Sequence, residues 1–384
     1  MTRIAAGLSA SPSAQAAGVE AARAARSELA GATPDLAFVF LTQAHLARAA
    51  EAVEAVREEL APRHLLGCVA QGVLARDEEL EEGPGVAVWA ASLPGAEIEC
   101  FHAYAEVADD AVEIAGFPEL GDPSLVTLLV DPFTFPAGAL LERVNDEHPG
   151  LPIVGGIAVG GGRPGAQALV LDTELYEEGA VGAIVSGVPV RAVVSQGCAP
   201  IGHDSVITKV EGNVVFELAG RPALERLRDE IAALSEEQRE LAAQGLLAGL
   251  VIDENKPEYG RGDFLIRGLL GADETTGALA VGERLRVGQT LKFHVRDADS
   301  ADADLREALG EALGLGRAAG ALLFTCNGRG QNMFPEPSHD ARVVSETIGT
   351  QGVAGFFCGG EIGPVGGRAF LHGFTATMAV FLDV

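Results

Sequence analysis

Two stretches could place reactive side chains side by side. Residues 325–330 read TCNGRG and residues 356–363 read FFCGGEIG. In each, a cysteine follows an apolar run and precedes glycines. Asn327, Arg329, Glu361 and Arg368 add polar groups close by in sequence. If the two runs are neighbouring strands, their C-terminal ends share one edge, which is where open α/β sheets place ligands. Gly328, Gly359 and Gly360 would let backbone N–H groups face a ligand, and Arg329 could pair with a carboxylate. Cys326, Asn327, Gly328, Arg329, Cys358, Gly359, Gly360, Glu361 and Arg368 therefore form a candidate small-molecule site. The competing reading is purely architectural: tight turns, and two cysteines serving as small core residues.

Other chemistries find less support. A cysteine nucleophile needs a thiolate and a base within reach. His339 and His372 lie in the same segment, but no catalytic residue is assigned. Cys326, Cys358 and His372 lack the close ligand spacing of a metal site. Haem would need an axial ligand, and no local motif marks any of the eight histidines. It stays open as a cofactor without a nominated ligand. The glycines of VGGIAVGGG (154–162) match neither dinucleotide nor P-loop fingerprints. The acidic run DEELEE (77–82) reads as a solvated turn. RDADSADADLRE (296–307) lacks the EF-hand spacing and reads as a linker entering a helix.

The elements that would position the candidate site recur three times. Copy one runs LAFVFLTQAH (36–45), a helical stretch, LLGCVAQG (65–72), then GPGVAVWAASL (83–93). Copy two runs LVTLLVDPFTFP (125–136), a helical stretch, LPIVGGIAVG (151–160), then GAVGAIVSGV (179–188). Copy three runs GALLFTCNGRGQ (320–331), a helical stretch, GVAGFFCGG (352–360), then HGFTATMAVFL (372–382). Each is strand, helix, glycine motif, strand. The motif glycines pair as Gly67 with Gly72, Gly155 with Gly160, and Gly355 with Gly360. Thr42-Gln43 and Asp131 occupy the place of Cys326-Asn327 in the first two copies. The first strands are near-continuous apolar runs, as expected of strands covered on both faces. The expected fold is α/β: repeated strand–helix–glycine-loop–strand units forming helix-covered mixed sheets in two pseudo-related halves.

Between copies two and three, SVITKVEGNVVFELAG (205–220) predicts a hairpin turning at Gly212-Asn213. A helix with Leu224, Leu227, Ile231 and Leu234 on one face follows. Ser235 and Gln238 form a capping box for a second helix that ends at Gly245. GDFLIRGLLGAD (262–273) and ERLRVGQTLKFHVRDA (283–298) predict strands, and 302–314 a helix. The N-terminus, through Gly31, reads as an amphipathic helix. A boundary near 200–220 gives domains 1–210, with two copies, and 211–384, with the third.

The net charge is −28, and lysine occurs only at Lys209, Lys256 and Lys292. Such a surface repels phosphate backbones and anionic lipid, so neither nucleic acid nor a membrane is an expected partner. No apolar run is long enough for a membrane helix. The five cysteines are dispersed without a CxxC pair, which points to a reducing, cytoplasmic setting.

With these segments in view, the chain resembles the FIST family of sensory proteins. The resemblance is carried by LLGCVAQGVL (65–74), QGCAPIG (196–202), ELAGRPALERL (217–227) and RVGQTLKFHVRDAD. It is most specific in ALLFTCNGRGQNMFPEPSHDARVV (321–344) and GFFCGGEIGPVGGRAFLHGFTATMAVF (355–381). The resemblance implies an intracellular signalling module that senses a small ligand such as an amino acid. It implies output through a partner protein, since no kinase or other output segment stands in this sequence. One branch of the family binds haem, and another recognises proteins, so a gas sensor and an interaction scaffold remain alternatives.

Overall fold

A computed structural model describes residues 1–108, 111–260, 262–314 and 316–383. The first copy supplies β1 (Arg3–Ser9), α1 (Ala14–Glu28), β2 (Leu36–Thr42), α2 (Ala49–Leu60), β3 (His64–Ala70), a hairpin of β4 (Val73–Ala75) and β5 (Glu78–Leu80), and β6 (Val86–Ser92). The second supplies β7 (Glu97–Ala108), β8 (Ala111–Ala115), β9 (Leu125–Val130), α3 (Ala137–Glu147), β10 (Ile153–Ile157), the hairpin β11 (Leu169–Leu171) and β12 (Glu174–Tyr176), β13 (Ala180–Ser186) and then β14 (Val190–Gln196). A different segment follows: β15 (Cys198–Glu211), β16 (Val214–Leu218), β17 (Arg221–Pro222), α4 (Ala223–Ala233), α5 (Glu236–Gln244), β18 (Leu246–Val251), β19 (Phe264–Asp273), β20 (Ala278–Val281) and β21 (Thr290–Arg296). The third copy closes the chain with α6 (Ala298–Leu313), β22 (Arg317–Cys326), α7 (His339–Ile348), β23 (Val353–Cys358), the hairpin β24 (Glu361–Val365) and β25 (Arg368–His372), and β26 (Thr375–Asp383).

The three copies share one pairing pattern. β2 is parallel to β3 and antiparallel to β6. β9 is parallel to β10 and antiparallel to β13. β22 is parallel to β23 and antiparallel to β26. The crossover helix between the parallel strands is what lets them run the same way. The last strand does not fold back on the glycine-bearing strand, as a simple hairpin would. It lies on the far side of the first strand, because another element fills the near side.

That element is a hairpin from a different copy. β4–β5 of copy one extends copy three through β23. β11–β12 of copy two extends copy one through β3. β24–β25 of copy three extends copy two through β10. The exchange is cyclic, and every sheet in this unit contains residues from at least two copies.

The inner faces of the three sheets meet in one core. Phe38, Phe40 and Trp89 come from copy one, Leu125, Leu129 and Val154 from copy two, and Phe324, Phe356 and Phe381 from copy three. The outer faces carry the helices. Alanines of α1 and α2 cover Val39 and Leu41, α3 covers Val126 and Leu128, and α6 and α7 cover Leu323 and Val353. The strands therefore have two buried faces, and β2 is buried at every residue.

The first glycine of each motif is fixed by backbone proximity. Gly67 lies opposite Val39, Gly155 opposite Leu128, and Gly355 opposite Leu323. A Cβ on these glycines would stand 1.9, 1.9 and 1.6 Å from the carbonyl oxygens of Val39, Leu128 and Leu323. The opposing atom is main chain inside a sheet and cannot swing away.

One expectation changes here, and the compact units divide the chain by a different criterion from the expected domains. The N-terminus is not helical throughout. Residues 3–9 form β1, paired antiparallel with β6, and the helix starts only at the Ser13 cap. The compact units also cut the chain elsewhere than at 210/211. One unit is Met1–Val194 with Leu305–Leu371 and Thr375–Val384, and the other is Ser195–Asp304 with His372–Phe374. The third copy shares a unit with the first two because β23 receives β4 and β10 receives β24.

The second unit is built differently. Its strands run β15-β21-β18-β19-β20-β16, and β15 also pairs with β16, closing a ring of antiparallel strands. Cys198, Leu247, Val251, Phe264 and Ile266 pack together in it. The turn at Gly212-Asn213, the helix over Leu224 and the Ser235/Gln238 capping box all stand where the residue pattern puts them.

Replacing Gly355 with alanine should lower stability by more than about 3 kcal/mol, because the overpacking has no flexible side chain to absorb it. Gly310→Ala, in the interior of α6 with nothing near the added methyl, should raise stability by up to about 1 kcal/mol. Urea unfolding midpoints check both. Similar effects of the two substitutions would contradict the backbone-contact account.

Candidate functional site

β22 and β23 run in register from Ala321 opposite Val353 to Cys326 opposite Cys358. The shared edge expected from the sequence therefore exists. Beyond it the chain turns tightly. Asn327 N–H donates to Cys358 O at 2.9 Å, and Arg329 N–H donates to Cys326 O at 2.8 Å. Gly328 N–H points at Cys326 Sγ, 3.4 Å away. The turn continues through Gly330, at φ +55°, where a Cβ would stand 2.6 Å from the Glu81 carboxylate.

This turn carries Arg329 into the interior, where it is completely buried. Its Nε and Nη2 donate to the two oxygens of Asp340 at 2.7 and 2.8 Å. Asp340, in the first turn of α7, also accepts from Thr325 Oγ1 at 2.6 Å and lies 3.0 Å from His339 Nδ1. The Phe334 ring lies 5.2 Å from the guanidinium carbon, and His339 stacks on that ring at 3.5 Å. Burial alone would push the Asp340 carboxyl up. The Arg329 guanidinium and the surrounding donors outweigh it and hold the group well below the usual carboxylate range.

Glu361 opens β24 and is also completely buried. Its Oε2 accepts from Thr375 N–H at 3.1 Å and Thr375 Oγ1–H at 2.8 Å. Burial pushes it up to about 8, against the opposing pull of Thr375, Cys326 and Arg329. Cys358 is raised well above an ordinary thiol, first by burial and then by Glu361, Cys68 and Cys326. Cys326, Arg329, Cys358 and Glu361 thus stand within electrostatic reach of one another.

Other nominated positions serve differently. Gly359 N–H donates to Ile157 O at 3.0 Å, and Gly360 O accepts from Ile157 N–H at 2.8 Å. These two glycines use those groups to bind copy three to copy two, not to face a ligand. Arg368 is not brought to the site. β24 runs on to Val365 before turning, which carries Arg368 away to an exposed position 3.3 Å from Asp146.

Several members of the site escaped the sequence reading. Asp340, Thr325 and Thr375 gave no signal beyond polarity. The acidic run 77–82 is not simply a solvated turn. It contains β5, and two of its carboxylates reach copy three. Glu79 Oε1 accepts from Ala341 N–H at 2.9 Å, and Glu81 accepts from Gln331 N–H at 3.0 Å. Burial, reinforced by Asp340, pushes Glu79 up to about 8. The spacing of Glu79 in β5 and Glu81 just beyond its end, two residues apart, was the available clue. Four buried atoms in and beside the site have no hydrogen-bond partner in the protein: Arg329 Nη1, Glu361 Oε1, Asn327 Oδ1 and Glu79 Oε2.

The pH dependence follows from these shifts. Glu361 and Glu79 have folded values raised above their unfolded ones. Their contribution is complete below the unfolded value and is lost as pH rises through about 8. Asp340 is depressed, so its contribution is present above its ordinary value and is lost as pH falls. Stability should decline between about pH 5 and 8, by at most about 1.4 kcal/mol per pH unit for each carboxyl. Glu361→Gln should flatten that decline in chemical-denaturation series, and an unchanged slope would refute the assignment. Asp340→Ala strands the Arg329 charge and should cost about 3–5 kcal/mol.

Comparison with known proteins agrees with this architecture. The model of the FIST N domain matches residues 35–221, and that of the FIST C domain matches residues 223–364. Two proteins from Mycobacterium tuberculosis strains, each named only as uncharacterized, are 46% identical over 384 residues, covering 99% of this chain and 100% of theirs. An uncharacterized protein of Mycobacterium bovis is 45% identical over 384 residues, covering 99% of both chains. With both family models matched and relatives alike along their full length, the chain belongs to the FIST family, as a FIST N domain followed by a FIST C domain.

Proposed function

We propose that this protein is a sensory module that binds a small amino-acid-like molecule beside Arg329 and reports occupancy through protein contacts. FIST domains are associated with sensory signal transduction, and no helix among the described residues is long and apolar enough to cross a membrane. The observation that carries the ligand reading is the unpartnered set Arg329 Nη1, Asn327 Oδ1 and Glu361 Oε1. A buried polar atom without a partner costs about 1–3 kcal/mol. A ligand carboxylate would accept from Arg329 Nη1, and a ligand ammonium would donate to Asn327 and Glu361. One zwitterion thus offers each orphaned atom the partner it lacks.

The same geometry supports a route for the signal. Glu79 and Glu81 tie the β4–β5 hairpin to the start of α7 and to the Gly330 turn. Ser338 Oγ accepts from Glu79 N–H at 3.0 Å. A ligand that repositions Arg329 or Asp340 would be felt at these contacts. Catalysis of its own is not part of the proposal.

Thermal-shift screening against the proteinogenic amino acids and simple dicarboxylates tests the reading. A ligand present at 100 times its Kd adds about 2.7 kcal/mol. At least one amino acid should raise the midpoint, and Asn327→Ala should weaken that response by about tenfold in affinity with little loss of stability. No response from the whole panel, or equal responses from wild type and Asn327→Ala, would overturn it.

A further inference from the structure

We propose that Cys326 and Cys358 form a redox pair, in which a peroxide oxidises Cys326 and Cys358 resolves it into a disulfide within the chain. The inference does not depend on the ligand reading. It starts from register: Cys326 and Cys358 are direct partners at the last rung of the β22–β23 ladder. Phe324 and Phe356, two residues before each cysteine, face the central core together with Cys358. Side chains two apart on a strand share a face, so the two thiols lie on the same side of the sheet. Adjacent strands are about 4.8 Å apart, inside the Cα separation of about 4.4–6.8 Å that a disulfide spans. The ladder ends there, and the chain leaves β22 in a turn, so the small adjustment a disulfide needs falls on its last rung.

The two thiols differ as an attacking and a resolving cysteine should. Cys326 is partly open, whereas Cys358, beside it on the same rung, is fully buried. Cys326 Sγ receives the Gly328 N–H and lies in the field of the Arg329 guanidinium. A donor and a fixed cation are what favour a reactive sulfur. Neither feature is a requirement of the repeat. Copy one has Thr42 opposite Ala70 at this rung, and copy two has Asp131 and Ala158 at the corresponding place. The fold is satisfied by Thr or Asp with Ala, so the cysteine pair is an addition of the third copy.

The chemistry balances with a peroxide as the oxidant. Cys326 sulfur attacks one peroxide oxygen. An S–O bond forms, the O–O bond breaks, and the thiol proton leaves with the other oxygen as water. Cys358 sulfur then attacks the Cys326 sulfur. The S–S bond forms, the S–O bond breaks, and the sulfenic oxygen departs as a second water carrying the Cys358 proton. Two thiols are oxidised by two electrons, and one hydrogen peroxide is reduced to two waters.

Reduced full-length protein treated with equimolar hydrogen peroxide tests the proposal. Peptide mapping should show a Cys326–Cys358 linkage, formed at least about tenfold faster than any oxidation of Cys68, Cys100 or Cys198, and reversed by dithiothreitol. In Cys358→Ala, which copies the residue of the other two repeats, Cys326 should stop at a sulfenic acid trapped by dimedone. In Cys326→Thr the fast phase should disappear. The idea fails if wild type accumulates sulfinic acid at Cys326 without the linkage. It fails equally if all five cysteines oxidise at one slow rate, or if Cys358→Ala gives no dimedone adduct while its circular dichroism matches wild type. Because no amino acid is added, a negative ligand screen leaves this outcome unaffected.

Discussion

The glycine-bearing strand in each copy leaves an open edge that its own hairpin does not fill. β3 is completed by β11, β10 by β24, and β23 by β4. An unpaired strand edge inside a protein would leave a row of N–H and C=O groups unsatisfied. Completion by a neighbouring copy resolves this for all three sheets at once. It also turns each sheet's inner face toward one shared core, where Phe40 meets Phe324 and Phe356 with ring centroids 6.5 and 5.2 Å apart. The glycine motifs serve the same constraint. Gly67, Gly155 and Gly355 let the parallel strands approach carbonyl oxygens so closely that no side chain fits.

The candidate site arises from this exchange. The third copy supplies Arg329, Asp340 and Glu361, and the first copy's hairpin supplies Glu79 and Glu81. Three buried carboxyls surround one guanidinium, and full ionisation of all would leave uncompensated charge in a low-dielectric interior. The protein divides them: Asp340 stays ionised in a two-pronged pair with Arg329, while burial keeps Glu79 and Glu361 protonated around neutrality. Protonated carboxyls can donate as well as accept. The site therefore offers both kinds of hydrogen bond without carrying much net charge, although the whole chain is strongly acidic.

What the sequence made legible was local. Apolar runs such as LAFVFLT marked the strands, Ser235 and Gln238 marked a helix start, and the glycine spacing marked corresponding turns. The convergence of Cys326, Arg329, Cys358 and Glu361 could be read because two parallel strands joined by a helix must end at the same edge. What stayed illegible was non-local. Nothing in VLARDEELEE states that its hairpin belongs to a sheet formed more than two hundred residues later, so Glu79 looked solvated. Arg368 sits close to Glu361 in sequence, but a strand separates them in space. β1 was missed because its alanines suit a helix, and its pairing with β6 overrides that propensity.

The exchanged hairpins also set the order in which the chain can acquire its structure. Phe356 is the strand partner of Val73, and Ile362 the partner of Gly155. Contacts so distant along the chain are slow to form and raise the contact order. During synthesis, the first two copies emerge with strand edges whose completing partners have not yet been made. The β3 edge waits only for β11, but the β10 edge stays available for wrong pairing until β24 arrives near the end of the chain. A nearly complete polypeptide needs shelter for longer than its length alone would require, and a truncated product would remain an aggregation hazard instead of a smaller folded protein.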